Sequence, residues 1–397
     1  MRSPSIDPMT REEKRAGISL AAIFGLRMLG LFMILPVFAV FAHTLPGGSD
    51  PALVGIALGA YGATQALFQI PFGRASDRIG RKPAIVAGLL IFAAGSFLAA
   101  AAPDIYWVIA GRVIQGAGAI SAAITALAAD LTREQHRTKV MALIGSSIGL
   151  MFAFSLVGAP LLYAWIGMSG IFTLTGVLAL AAILLLAKAV PTPPAPPAAK
   201  PLPFSRVLLD GQLTRLNFGV LALHVMQTAL WVVVPPVLVA GGLPLAEHWK
   251  IYLPALLASF AVMVPAIIAA ERHNQLKPVF VAAILLLILV QVGLTQAEGT
   301  YAIGVLLMLF FVGFNIMEAM QPSLISRVAP AAAKGAAMGI YNTTQSIGLA
   351  LGGVLGGWLL KHFGAAAVHG FCVALGTVWL VLAASMVPPV RPGKSST

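Results

Sequence analysis

Glu318 sits in a long apolar run with no lysine or arginine nearer to it along that run than Arg327, nine residues on. Desolvation makes a carboxyl group in such surroundings hold its proton more tightly, and a nearby cation makes it hold the proton less tightly. One group can therefore take up and release a proton as its neighbours change. His224, nine residues after Arg215 in another apolar run, adds a side chain that titrates near neutral pH. Arg27, ten residues into a third run, adds a permanent cation. If all three runs are helices, a rise of 1.5 Å per residue puts Glu318 and His224 about 13 Å, and Arg27 about 15 Å, from the charged ends of their segments. Three ionisable groups then share one level. What must position them is a set of helices crossing a common layer.

The composition supplies that layer. Hydrophobic residues make 59% of the 397, charged residues only 10%, and mean hydropathy is +0.93. That profile is an all-α integral membrane protein, far from a soluble domain. With about 20 apolar residues needed per crossing, twelve spans are expected. The first six are near 17–41, 53–73, 83–102, 105–131, 140–164 and 168–189, and the second six near 215–240, 249–270, 278–296, 301–327, 337–361 and 367–387. The first run is too long for the core of a signal peptide. A net charge of +12 does not point to nucleic acid, because the cations are scattered over short segments between the runs, where they set topology and meet anionic lipid. Of the 25 lysines and arginines, all but Lys250, Lys361, Arg27 and Arg112 fall at the termini or in even-numbered loops. Both termini are therefore expected in the cytoplasm of a multi-pass membrane protein. The single cysteine, Cys372, allows no intrachain disulfide.

Residues 191–203 read P-T-P-P-A-P-P-A-A-K-P-L-P, a polyproline-like linker. The chain divides accordingly into six-span bundles at 1–190 and 214–390, a cytoplasmic linker at 191–213 and a tail at 391–397. The halves echo each other: Ser147-Ile148-Gly149-Leu150 recurs as Ser346-Ile347-Gly348-Leu349, and Gly158 corresponds to Gly357 at the same offset. Two pseudo-symmetric repeats are expected.

One hydrophilic stretch is dense in charge: Gly73-Arg74-Ala75-Ser76-Asp77-Arg78-Ile79-Gly80-Arg81-Lys82, a tight loop between spans two and three. It resembles the signature loop, motif A, of the major facilitator superfamily. Arg112-Val113-Ile114-Gln115-Gly116-Ala117-Gly118 resembles motif B, R-x-x-Q-G-x-G. Gly145, Gly149, Gly158 and Pro160 are similar to the antiporter motif C, although Ala159 separates a glycine and proline that are commonly adjacent in the family. The resemblance covers nearly the whole chain. Phrases such as Leu26-Arg27-Met28-Leu29-Gly30 and Pro322-Ser323-Leu324-Ile325-Ser326 are similar to the YajR-type branch of bacterial drug:proton antiporters, which implies a place in a bacterial inner membrane; the extra C-terminal soluble domain that some members of that branch carry is not expected here.

The resemblance implies a fold of two six-helix bundles in which spans one, four, seven and ten line a central cavity. It also implies proton-coupled export of small lipophilic or drug-like compounds by alternating access. Arg27, His224 and Glu318 would then face one cavity, with Glu318 carrying the coupling proton, His224 relaying or sensing it, and Arg112 biasing it from motif B with Gln115 and Gly116. Gly73, Asp77, Arg78, Gly80, Arg81 and Asp130 would form a conformational latch, Arg81 pairing with Asp130 and Asp77 docking on span eleven. Taken on their own, the residues leave plainer readings open: a positively charged anchor loop, a packed histidine, and arginines held by helix carbonyls or by Gln115.

Phe24, Met28 and Phe32 stack at helical spacing on span one, and Phe314, Asn315 and Met317 crowd around Glu318. With Gln227 they are candidate lining for a pliable apolar cavity. Glycines in spans five and eleven are expected to let helix backbones approach closely. No phosphate loop, H-E-x-x-H or nucleophile elbow occurs, so neither an enzyme nor an ATP-driven pump is expected. Neither cofactor nor metal is expected. The partners are the bilayer, protons and a small-molecule substrate, with the protein a monomer. A uniporter or symporter for a metabolite such as a sugar or amino acid is the alternative.

Overall fold

The structure, a computed structural model, describes residues 8–192, 207–330 and 333–386. Among these every regular element is helical. The described residues fall into two compact units, one within 1–38 and 64–200, the other within 39–63 and 201–397. The stretch that precedes and opens the second span therefore packs with the C-terminal part of the chain.

In the first unit, α1 (Arg11–Phe32) starts at a capping box: Thr10 accepts from the Glu13 amide at 3.1 Å and Glu13 Oε2 accepts from the Thr10 amide at 2.8 Å. The same carboxylate binds Arg133 through Nε at 2.9 Å and Nη2 at 3.0 Å. Arg133 immediately precedes α7 (Glu134–Ala189), so one acid fastens the beginnings of two helices that then run along each other. Further on, α4 (Arg81–Ala100) meets α5 (Ile105–Ala117) backbone to backbone: a Cβ added at Gly95 would lie 2.5 Å from the Gly111 carbonyl oxygen. Span four is not one continuous helix. It breaks at Gly118 and resumes as α6 (Ser121–Asp130); a Cβ at Gly118 would fall 2.3 Å from the Gly88 carbonyl, so the approach of the two segments there requires glycine.

The second unit takes in the second half of α2 (Leu35–Ala42) and the start of α3 (Pro51–Ile79). It contains α8 (Gly211–Ala240), α9 (Trp249–Arg272), α10 (Leu276–Leu294), α11 (Thr300–Val328), α12 (Lys334–Phe363) and α13 (Ala365–Ala384). Glycines line two sides of α12. On one side a Cβ at Gly348 would lie 2.7 Å from the Leu221 carbonyl, and at Gly352 2.4 Å from that of Val225, both on α8. On the other, Gly353 and Gly357 abut Gly55 and Pro51 of α3, at 2.5 and 2.3 Å by the same measure. Lys361 at the end of α12 binds Asp50, just ahead of α3, at 2.6 Å. Small residues give close van der Waals contact where no hydrophobic effect drives helices together.

Among the described residues ten segments are long and apolar enough to cross a bilayer, against the twelve read from the sequence. The sequence reading counts the longest of them as two spans and includes α12. Gly167, at φ 64°, turns the chain between spans five and six, which otherwise form one 56-residue helical run. α12 has the length, but its glycines and polar residues dilute its hydropathy. A second correction concerns Gly73–Lys82. It is not a loop: α3 continues through Ile79, α4 begins at Arg81, and the turn is Gly80 alone. Its φ of 98° is a conformation that a side chain would strain. Most of the linker and all of the tail lie outside the described residues.

Candidate functional site

His224, on α8, is buried, with 3% of its surface exposed. Its Nδ1 lies 2.9 Å from the Val220 carbonyl, an acceptor only, so Nδ1 carries hydrogen and donates. Nε2 faces two groups from other helices: the Gln345 amide nitrogen of α12 at 2.7 Å, and Glu318 Oε2 of α11 at 3.6 Å. Phe314, one turn before Glu318, sets its ring edge-on to the imidazole with centroids 6.0 Å apart. Oε2 of Glu318 is buried without a hydrogen-bond partner among the described residues, while a third of the side chain remains exposed. A carboxyl and an imidazole separated by slightly more than a hydrogen bond can exchange one proton with little motion, and a charge in either place is stabilised by the other.

The remaining residues named from sequence fall in several places. Arg27 belongs to the first unit, fully buried, donating through Nη2 to the Gly118 carbonyl at 3.1 Å and through Nη1 to Ser121 Oγ at 3.4 Å. Phe92 lies under the guanidinium, 5.6 Å from carbon to ring centroid. Arg112 donates to Gln115 Oε1 at 2.9 Å, and Gln115 donates to Ser96 Oγ at 2.8 Å, a buried polar chain between α5 and α4. Gly116 is buried beside it.

At the end of α3, Arg81 donates through Nε to Asp130 Oδ2 at 3.0 Å and through Nη1 to Ser76 Oγ at 2.8 Å, and it also pairs with Asp77. Asp77 remains 61% exposed and Arg78 is exposed. Gly73 approaches Ala122 of α6 at ordinary contact distance. In span five a Cβ at Gly145 or Gly149 would have nothing within 4 Å among the described residues, and one at Gly158 would meet only Phe154 of its own helix. The close approach expected of both glycine stripes occurs in span eleven and not in span five. Pro160 lies inside α7, where it removes a backbone donor.

Of the residues expected to line a cavity, Phe24, Met28, Gln227, Phe314, Asn315 and Met317 are buried, and only Phe32 is partly exposed, packing edge-on against Phe152. Asn315 is tied to Ser259 of α9 at 2.9 Å. Two partners escaped the sequence reading. Glu13 had a usable signal, the Thr10-x-x-Glu13 capping pattern. Gln345 had none, since a glutamine in an apolar span announces no particular neighbour.

A helical, multi-pass chain with ionisable groups held inside its spans is a membrane transporter by class. The chain belongs to the Major Facilitator Superfamily, whose family model matches residues 20–270 and 216–397. It is 46% identical over 96% of its length, and 85% of the relative's, to the inner membrane transport protein YajR of Escherichia coli. The multidrug resistance protein MdtH of Aeromonas hydrophila is 30% identical over 94% of this chain and 92% of its own. Among solved structures, a bacterial homolog of the human lysosomal transporter Spinster, in an inward-facing and occupied conformation, superposes with a TM-score of 0.78 at 12% identity, covering 97% of this chain and all of that one. The human organic anion transporter MFSD10 gives 0.71 at 17% identity, over 94% of this chain and all of its own. The protein is therefore a multi-pass membrane transporter of small substrates and not an enzyme.

Proposed function

We infer that this transporter exports small lipophilic or drug-like compounds in exchange for protons, with Glu318 as the group that binds and releases the coupling proton and His224 as its partner. The observation that carries this reading is the separation of 3.6 Å between Glu318 and His224, with the facing carboxylate oxygen buried and without a hydrogen-bond partner among the described residues. A charged acid in hydrocarbon is costly, which makes an ionisable side chain retained there a functional candidate. The multidrug resistance relatives support the substrate class. In this reading the halves 1–190 and 214–390 alternate access on either side of the linker in a monomer whose termini are cytoplasmic, and the Arg81–Asp130–Asp77 cluster latches one state.

The test is proton-driven efflux from vesicles holding the wild-type chain or Glu318→Gln, with a chemically diverse panel of compounds. Loss of pH-gradient-driven movement in Glu318→Gln, with substrate binding retained, is expected. Undiminished coupling would remove Glu318 from the mechanism. Movement of a sugar or amino acid with the proton gradient would replace export by symport.

A further inference from the structure

The imidazole of His224 has one free choice. Nδ1 is committed to the Val220 carbonyl, so Nε2 is the nitrogen that gains or loses a proton. At 2.7 Å from Nε2 stands the Gln345 amide nitrogen, a donor. Two N–H groups cannot face each other at that distance. While Gln345 presents its NH2 end, Nε2 must accept, the ring is neutral, and a proton shared between the two side chains stays on Glu318. If Gln345 withdraws, or turns its oxygen inward, Nε2 is free to take the proton. The step balances: the Glu318 O–H breaks, the His224 Nε2–H forms, and a neutral acid beside a neutral imidazole becomes a carboxylate beside an imidazolium.

We propose that Gln345 is a positioning residue that holds His224 neutral and thereby keeps the coupling proton on Glu318. This rests on the proton-coupling reading of the pair. Gln345 is well placed for the task because it comes from a third helix. One turn further along α12, Gly348 is seated on α8, so close that a Cβ there would lie 3.0 Å from the His224 Cβ. α12 cannot slide along α8 without carrying the amide off the imidazole. The other groups facing the pair do not offer this control. Phe314 from α11 contributes only a ring edge, and Tyr341 from α12, buried and one turn from Gln345, contributes a hydroxyl within the electrostatic reach of Glu318. A shift of α12 thus becomes a change in which residue is charged.

The experiment uses the purified full chain in liposomes and needs no substrate. The infrared carbonyl band of a protonated carboxylic acid, assigned to Glu318 by its loss in Glu318→Gln, is followed against pH in wild type and in Gln345→Met, which keeps side-chain length but neither donates nor accepts a strong hydrogen bond. In Gln345→Met an imidazolium forms beside the acid, and the carbonyl band is expected to be lost at a pH where wild type retains it. An unchanged midpoint overturns the proposal. A second measurement uses the wild-type protein alone: nitrogen-15 spectra of labelled histidine, with His224 assigned by its absence in His224→Asn, are expected to give the neutral Nδ1–H tautomer at neutral pH. An imidazolium there would equally overturn it. If Glu318→Gln leaves proton-driven efflux intact while these spectra behave as expected, the coupling reading falls and the assignment of Gln345 stands. If efflux is lost but the midpoint does not move, the reverse holds.

Discussion

Arg27 donates to the carbonyl of Gly118 at 3.1 Å, at the point where span four stops being a helix. A broken helix inside a membrane leaves carbonyls that nothing in hydrocarbon can satisfy. The planar guanidinium reaches this one and Ser121 together, and it lies over Phe92. Replacing it with lysine substitutes one point of charge for a fork that serves two acceptors. Arg27→Lys is expected to cost about 1–3 kcal/mol of stability, read as a lower thermal midpoint of the purified protein. A transport defect with unaltered melting would instead assign Arg27 to the substrate path.

The two glycine stripes separate sharply under substitution. Gly353→Ala and Gly357→Ala put a methyl group against the backbone of α3, which must move, so stability falls by about 1–3 kcal/mol. Gly149→Ala meets open space and exchanges a poor helix former for a good one. It is expected to be neutral or to stabilise by up to about 1 kcal/mol. Parallel melting curves of the three variants decide this. Equal losses in all three would show that span five is closely packed after all.

Acid should release the Asp50–Lys361 contact. The lysine hydrogen bond holds the Asp50 carboxyl below its ordinary value, so this contact adds stability above the usual aspartate range and loses it as pH falls through the lowered value. Asp50→Asn keeps a side-chain acceptor for the start of α3 while removing the charge. Wild type is expected to melt higher than Asp50→Asn at neutral pH, with the gap closing below about pH 4. A gap that persists in strong acid would mean that the contribution is not ionic.

The cluster at Arg81 yields a kinetic expectation. Asp77 is the exposed member, paired on its own side with a guanidinium that Asp130 already holds. Asp77→Asn should slow conformational cycling, measured by labels placed on the two halves, while leaving equilibrium substrate binding largely unaltered. Lost binding with normal cycling would sink the latch reading.

Hydropathy made most of the helical fold readable, since a bilayer imposes a length on every segment that crosses it. Depth counting also brought Glu318 and His224 to one level, and they lie 3.6 Å apart. It failed where backbone conformation or the facing of a side chain decides. Gly80 ends α3 through a positive φ, and no apolar pattern reveals that the five charged residues around it, Arg74, Asp77, Arg78, Arg81 and Lys82, are helical. Gly116-Ala117-Gly118 reads as ordinary span until Gly88 is known to press against it. The cavity-lining residues were chosen by spacing on single helices, yet Asn315 faces Ser259, because neighbouring helices determine which side of a helix is covered.

The seating of α3 on α12 also has a consequence in time. Asp50 and Lys361 are 311 residues apart, and at about 5–20 residues per second a ribosome needs roughly 15–60 s to travel from one to the other. For that interval the glycines at the start of α3 face lipid or the insertion machinery with no partner helix. The nascent transporter must therefore wait as an incomplete assembly, and its exposure to membrane proteases is longest at the segment that is made early and covered late.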